Sequence, residues 1–222
     1  MIPLRDVIPS RTTPVATITL IALNALAWLF EIALPEDALP AFLRTFGVVP
    51  AELRVPTLVS AMFLHASWSH VIGNMWFLWI FGDNIEDRMG HARFVVFYVL
   101  CGVIATLGHI AMYPASLVPT IGASGAIAGV MGAYIVLFPQ SRVLTLVPLI
   151  VFVEIVELPA LLLLGFWFVL QLFSAGVGAI ASSGDSGGIA FVAHVAGFAA
   201  GAAGVFLFRT RRTEWELGNK AG

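Results

Sequence analysis

The sequence predicts an all-α membrane protein, a single bundle of six spanning helices. Three observations carry that prediction. Of 222 residues, 59% are hydrophobic and only 11% are charged, less than half the charged share of ordinary soluble domains. The mean hydropathy is +0.97. Six separate stretches are mostly apolar and about 20 residues long, the length needed to cross a hydrocarbon core. They fall at about 14–34, 60–82, 94–113, 120–138, 158–180 and 189–208. No internal repeat or low-complexity linker divides them, so residues 1–222 read as one domain, with 209–222 as a short tail.

Residues 1–14 carry Arg5 and Arg11, like the basic start of a signal peptide. The apolar run that follows has no small-residue cleavage site, so it reads as a retained first span. The segment 35–59 holds Glu36, Asp37, Pro40, Arg44, Pro50, Glu52, Arg54 and Pro56. It is too apolar for a plain linker, with Phe42, Leu43, Phe46, Val48 and Val49, and is expected to fold against the membrane surface. The second span carries His65, His70 and Asn74. Asp83, Glu86, Asp87 and Arg88 follow it as a cap and salt-bridge turn, with His91 solvated beside them. The third span holds Cys101, the single cysteine, which reads as an inert buried thiol. His109 reads as a helix-packing group. The stretch 143–157 is apolar but ends in Glu154 and Glu157, and reads as an interfacial helix or an extension of the fifth span. Residues 184–188 form a glycine-rich loop.

The distribution of Lys and Arg orients the bundle. An even number of spans puts both termini on one side, with Arg5, Arg11, Arg88, Arg93, Arg142, Arg209, Arg211, Arg212 and Lys220. The other side has Arg44 and Arg54. Nine against two makes both ends cytoplasmic. The starts of spans two, four and six then face outward, which brings Asn74 and His70, Ser124, and His194 to one depth.

Polar side chains inside spans are costly and mark function. Gly122-Ala123-Ser124-Gly125 opens the fourth span, and His194 lies early in the sixth. Small residues recur at Gly125, Gly129 and Gly132, and at Ala193, Gly197 and Gly201. Such faces let helices approach closely in lipid, close enough for Ser124 to reach His194. A serine hydroxyl is a weak nucleophile unless a base takes its proton, and a neutral imidazole can do so. No carboxylate lies near His194, because Glu31 belongs to the first span and Glu154 and Glu157 to the cytoplasmic side. A Ser124–His194 dyad is therefore expected rather than a triad. Oxyanion donors are also needed. Ser124 at a helix start leaves backbone N–H groups free. His70 and Asn74, four residues apart, share a helix face, while His65, five before His70, points elsewhere on a continuous helix and reads as structural, near the loop. For His70 and Asn74 the competing reading is an interhelical hydrogen bond. Net charge −2 gives no case for nucleic acid, and no H-E-x-x-H motif or pair of span-centre aspartates is present.

The chain resembles the rhomboid intramembrane serine proteases in their six-span bacterial form. The matching motifs are His65-x4-His70-x3-Asn74, Gly122-Ala123-Ser124-Gly125 and Ala193-His194-Val195-Ala196-Gly197. The resemblance implies Ser124 as nucleophile, His194 as base, and an oxyanion hole of His70, Asn74 and the Ser124 N–H. Gly122, Gly125, Gly197 and His65 would support them. It implies no metal or organic cofactor, a bacterial plasma (inner) membrane, a water-filled cavity open to the outer side, and single-span membrane proteins as substrates. Two departures stand out. Pro56-Thr57 occupy about the place of a Trp-Arg pair found in many relatives, and Ala128 stands where many carry an aromatic that supports the histidine ring. Phe191 and Phe198 are the sequence's candidates for holding His194. The alternatives are a non-catalytic rhomboid-like scaffold or dislocation factor, which would be expected to lack the serine or histidine, and a transporter, which would show repeat symmetry. The fifth span has no charge between Leu158 and Ile180, so its parting from the second span is the expected substrate gate.

Overall fold

A computed structural model describes residues 1–148, 153–181 and 188–210. Helices form in all six predicted stretches: α1 (Val15–Ala33), α4 (Trp68–Met89), α5 (His91–Met112), α6 (Ser124–Leu137), α7 (Ala160–Ala181) and α8 (Gly188–Phe208). Between α1 and α4 lie α2 (Leu39–Phe46), α3 (Thr57–Ser60) and two short 3-10 turns, Pro50–Glu52 and Ala61–Phe63. Among the described residues, three helices have the length and composition to cross a membrane: Val15–Ala33, His91–Met112 and Phe191–Phe208 within α8. The surface is apolar outward, as in a protein solvated by lipid. Leu26, Phe30, Ile72, Trp79, Val96, Leu162, Val169, Phe173 and Leu207 are all exposed.

The all-α expectation needs one correction. Strands β1 (Ile2–Asp6), β2 (Arg142–Pro148) and β3 (Val153–Pro159) form an antiparallel sheet in the order β1-β2-β3. The described parts of the stretch 143–157, residues 143–148 and 153–157, are therefore strand, neither an interfacial helix nor an extension of the fifth span. Its β-branched residues favour a pleated backbone, and Pro148 and Pro159 sit at strand ends, where a missing N–H costs little. The arginine-bearing N-terminus supplies the third strand, with Ile2 opposite Leu146 and Asp6 opposite Val143. The glycine-rich residues 184–187, and 211–222 of the tail, lie outside the described residues.

The acidic cluster after the second span caps the start of α1. Glu86 is buried and accepts from the Ala16 and Thr17 N–H groups, each at 2.8 Å, and from the Thr17 hydroxyl at 2.7 Å. A carboxylate there meets the unsatisfied donors and the positive end of the helix dipole. Asp87 accepts from the Arg11 and Thr12 N–H groups, at 2.6 and 3.1 Å. His91, expected to be merely solvated, pairs with Glu86.

Asp6 joins this end of the bundle to the sheet. It accepts from Asn84 Nδ2 at 2.9 Å and from the Tyr134 hydroxyl, which also meets Ser141 Oγ at 2.8 Å. Burial raises the Asp6 carboxyl to about 6; the Tyr134 hydrogen bond opposes that rise, and the nearby Asp83 adds to it. A folded-state value above the unfolded one gives stability that is complete below the ordinary carboxylate range and is lost as pH rises through about 6. The wild-type melting temperature should therefore fall between pH 5 and 7 relative to that of Asp6→Asn. Parallel thermal denaturation curves for the two proteins in detergent across that range would contradict this.

The core sits on α6. Residues Gly125 to Tyr134 are all buried, against α8, α5 and α4. At 14 residues α6 is short: its length of roughly 21 Å falls well short of a 30 Å hydrocarbon layer. Its first residue is Ser124.

Candidate active site

The end of the bundle opposite the acidic cap gathers the polar residues singled out in the sequence. A close approach of α6 and α8 brings two of them together. A Cβ at Gly197 would strike the Gly125 carbonyl, and one at Gly201 would strike the Gly129 carbonyl and Cα. Only glycine allows backbones so near. At that separation Ser124 Oγ lies 2.6 Å from His194 Nε2. Both side chains are partly buried. The helical ladder of α6 begins at the Ile127 N–H, which donates to Ala123 O at 3.0 Å. The N–H groups of Ser124, Gly125 and Ala126 precede it and have no intrahelical acceptor.

Gly122 shapes the approach to Ser124. Its φ of +123° is a conformation that side-chain-bearing residues rarely adopt, and its N–H donates to Ala61 O at 2.8 Å. A Cβ there would lie 2.8 Å from His70 Cε1 and Nε2, so the missing side chain makes room for the His70 ring. The Ala66 N–H points at His70 Nδ1 over a long 3.4 Å. That contact leaves the ring proton on Nε2, the atom facing the Gly122 turn.

The second predicted span begins later than expected. Ser67 caps α4, accepting from the His70 N–H at 3.2 Å, so His65 lies in the preceding segment and not on the helix. It then turns back toward the site. His65 Nε2 meets Asn74 Nδ2 at 3.1 Å, and the His65 and His70 rings pack edge to face at 5.0 Å. The His65 N–H donates to the buried Glu31 carboxylate at 3.1 and 3.3 Å to its two oxygens. Glu31, set aside in the sequence as a first-span residue away from His194, stands toward the end of α1 that meets this cluster; its contact with a backbone N–H leaves no motif.

Upstream, the segment 35–59 closes over the approach to α6. Val48 pairs with Thr120 through two backbone bonds of 3.0 and 2.7 Å, and the Ala51 N–H donates to Ser116 O at 3.0 Å. Arg54 holds this loop, donating to Arg44 O at 2.9 Å and also to Thr45 O. Thr57, of the Pro56-Thr57 departure, bonds back to Arg54 O at 2.6 Å.

His194 is held from α7. Its Nδ1 lies 2.7 Å from Gln171 Oε1, and the Trp167 ring lies 5.7 Å away at 37°. The predicted supports play lesser parts: Phe191 is edge-on at 6.5 Å, while Phe198 stacks on Phe168 at 4.4 Å and backs Trp167. Gln171 was missed in the sequence. The available signal was its place as an amide in the apolar run 160–173 of α7, an expensive residue in a span. Among the described residues, no three His, Cys, Asp or Glu side chains are grouped to hold one metal ion. A cavity of about 1020 Å³ opens at the opposite end, against Arg88, Phe138 and Arg209, and does not bear on Ser124.

Comparison with known proteins places the chain in a family. The Rhomboid domain family matches residues 52–211, a stretch that includes Ser124, His194 and the His65–Asn74 motif. This chain belongs to the rhomboid family. YdcA of Bacillus subtilis (strain 168), named provisionally as a rhomboid protease, is 34% identical over 130 residues, 56% of this chain and 63% of its own length. Rhomboid-like protein 11, chloroplastic, of Arabidopsis thaliana is 39% identical over 71 residues, 32% of this chain and 25% of that protein. Presenilin-associated rhomboid-like protein A, mitochondrial, of Danio rerio is 32% identical over 105 residues, 46% of this chain and 27% of that protein. The matches thus span less than two thirds of these relatives. Rhomboid membership and the apolar helices make the chain an integral membrane protein, and the family's members are generally serine proteases.

Proposed function

We propose that this rhomboid is an intramembrane serine endopeptidase, cutting membrane proteins in or near their transmembrane segments. The observation that carries the reading is the 2.6 Å approach of Ser124 Oγ to His194 Nε2. In the reaction, Ser124 Oγ attacks the scissile carbonyl carbon as its proton passes to His194 Nε2. The oxyanion takes hydrogen bonds from the Ser124 N–H, His70 Nε2 and the second hydrogen of Asn74 Nδ2, the first being directed at His65. Protonated His194 then gives its proton to the leaving amine as the C–N bond breaks. Water, deprotonated by His194, hydrolyses the acyl-serine and frees the acid. The cycle draws on no metal or organic cofactor.

The setting supports hydrolysis below the membrane surface. In this reading α1, α4, α5, α6, α7 and α8 are six spans, with both termini cytoplasmic, as the arginine count favours. The short helix α6 then begins beneath the outer face, so Ser124 lies at a depth reached by a substrate helix. Irregular backbone at such depth is tolerated where protein encloses it, as the 35–59 segment does. Single-span proteins of a bacterial plasma membrane are the substrates this arrangement suits. A fluorophosphonate probe should label the detergent-solubilised wild-type protein, and peptide mapping should put the adduct on Ser124. An unlabelled Ser124 in folded protein would instead favour a rhomboid-like scaffold.

A further inference from the structure

Resting on the dyad just proposed, we propose that Gln171 is the positioning residue of the His194 base. An amide oxygen can only accept a hydrogen bond. At 2.7 Å from Gln171 Oε1, His194 Nδ1 therefore carries the ring proton. That fixes the tautomer: Nε2 is left with its lone pair aimed at Ser124 Oγ, 2.6 Å away. The other tautomer would put a proton between Nε2 and the serine and would leave Nδ1 facing Oε1, lone pair against lone pair. Gln171 thus does through a neutral acceptor what a carboxylate does in a triad, orienting the ring and choosing the nitrogen that is free.

The same helix supplies the second constraint. Trp167 and Gln171 are four residues apart and share a face of α7. Trp167 lies against the imidazole at 5.7 Å while Gln171 holds its edge. Phe198 backs Trp167 from α8 at 6.4 Å. Ala128, buried in α6, contributes no ring. Both groups that hold the base therefore lie on α7, so the base is in register only while α7 is packed on α8.

Two variants and one spectrum test this. Gln171→Met keeps the length and removes the acceptor; kcat on a single-span test substrate should fall roughly tenfold to a hundredfold with KM little changed. Gln171→Glu restores the acceptor as an anion, which stabilises the protonated ring. It should keep substantial activity and move the acid limb of the kcat/KM profile to higher pH, a change that packing alone does not produce. Independently of turnover, 15N-histidine NMR of the wild-type protein in micelles should show the Nδ1–H tautomer for His194, assigned by its loss in His194→Gln. Gln171→Met should lose the preference for that tautomer. An Nε2–H tautomer in wild type, an unchanged kcat in Gln171→Met, or an unmoved acid limb in Gln171→Glu would each overturn the assignment. If wild type neither cleaves nor takes the probe, the hydrolase reading falls, while the spectrum still decides the role of Gln171.

Discussion

Ser124→Ala should abolish cleavage of a single-span test substrate reconstituted in liposomes, lowering turnover by about 10⁴-fold or more. The substitution removes one oxygen at the first position of α6, where the Ser124 side chain bonds to His194. The glycine contacts that pack α6 on α8 do not involve it, so the melting temperature should stay close to that of wild type. The nucleophile and base act as one unit, since neither has a use in bond breaking without the other. His194→Ala should therefore drop to about the same floor, and the double variant should drop no further. Additive losses would mean that the two side chains act independently, and cleavage by Ser124→Ala at the wild-type rate would end the proposed mechanism.

The parts of the fold legible in the sequence are those that lipid physics writes into residue spacing. A bilayer offers helices no hydrophobic gain from meeting, so close contacts need small residues at regular intervals, and Gly125, Gly129, Gly197 and Gly201 display that interval openly. Ser124 and His194 were legible because polar atoms in spans are costly. Gln171 was not, though the same cost applies to it. Attention to charge in the fifth span passes over an uncharged amide, and 23 residues separate it from His194, too many for any helical spacing to relate them. His65 has the structural place near the loop that the sequence suggests, but the expectation that it points away from His70 assumes a continuous helix, and Ser67, a good helix cap, starts α4 only after it. The sheet was hidden because Glu154 and Glu157, three apart, fit a helical period better than the two-residue period of a strand, and because β1 pairs with a strand far away in sequence, Ile2 opposite Leu146.

These misses have a common physical origin. Backbone partners and long-range pairings leave no pattern of residue types. Glu31 illustrates it: it accepts from the His65 N–H, a group every residue but proline carries. Through His65 it nevertheless reaches Asn74 and the His70 ring, so the first helix takes part in fixing the proposed oxyanion donors. The site is thus supported from α1 on one side and α7 on the other, around a core helix held by glycines.

That core helix makes Gly201→Val the substitution with the largest expected cost in stability. A Cβ at 201 would meet the carbonyl oxygen, carbonyl carbon and Cα of Gly129. These are backbone atoms in the middle of a buried helix, so no side chain can swing aside. Relief requires α8 to withdraw from α6, which also unseats Gly197 from the Gly125 carbonyl one turn earlier. The cost should reach or exceed about 3 kcal/mol, the upper end of the usual overpacking range, and little folded protein should remain after extraction into detergent. Gly165→Ala in α7 is the matching control, because nothing lies within 4 Å of its added Cβ. It should be neutral or stabilising by roughly 0.5–1 kcal/mol through helix propensity. Equal unfolding midpoints for the two variants in a denaturant titration would mean that the α6–α8 approach is looser than a glycine-only contact. The 2.6 Å reach from Ser124 to His194 depends on that approach, so Gly201→Val protein that does fold should label poorly with the serine-directed probe.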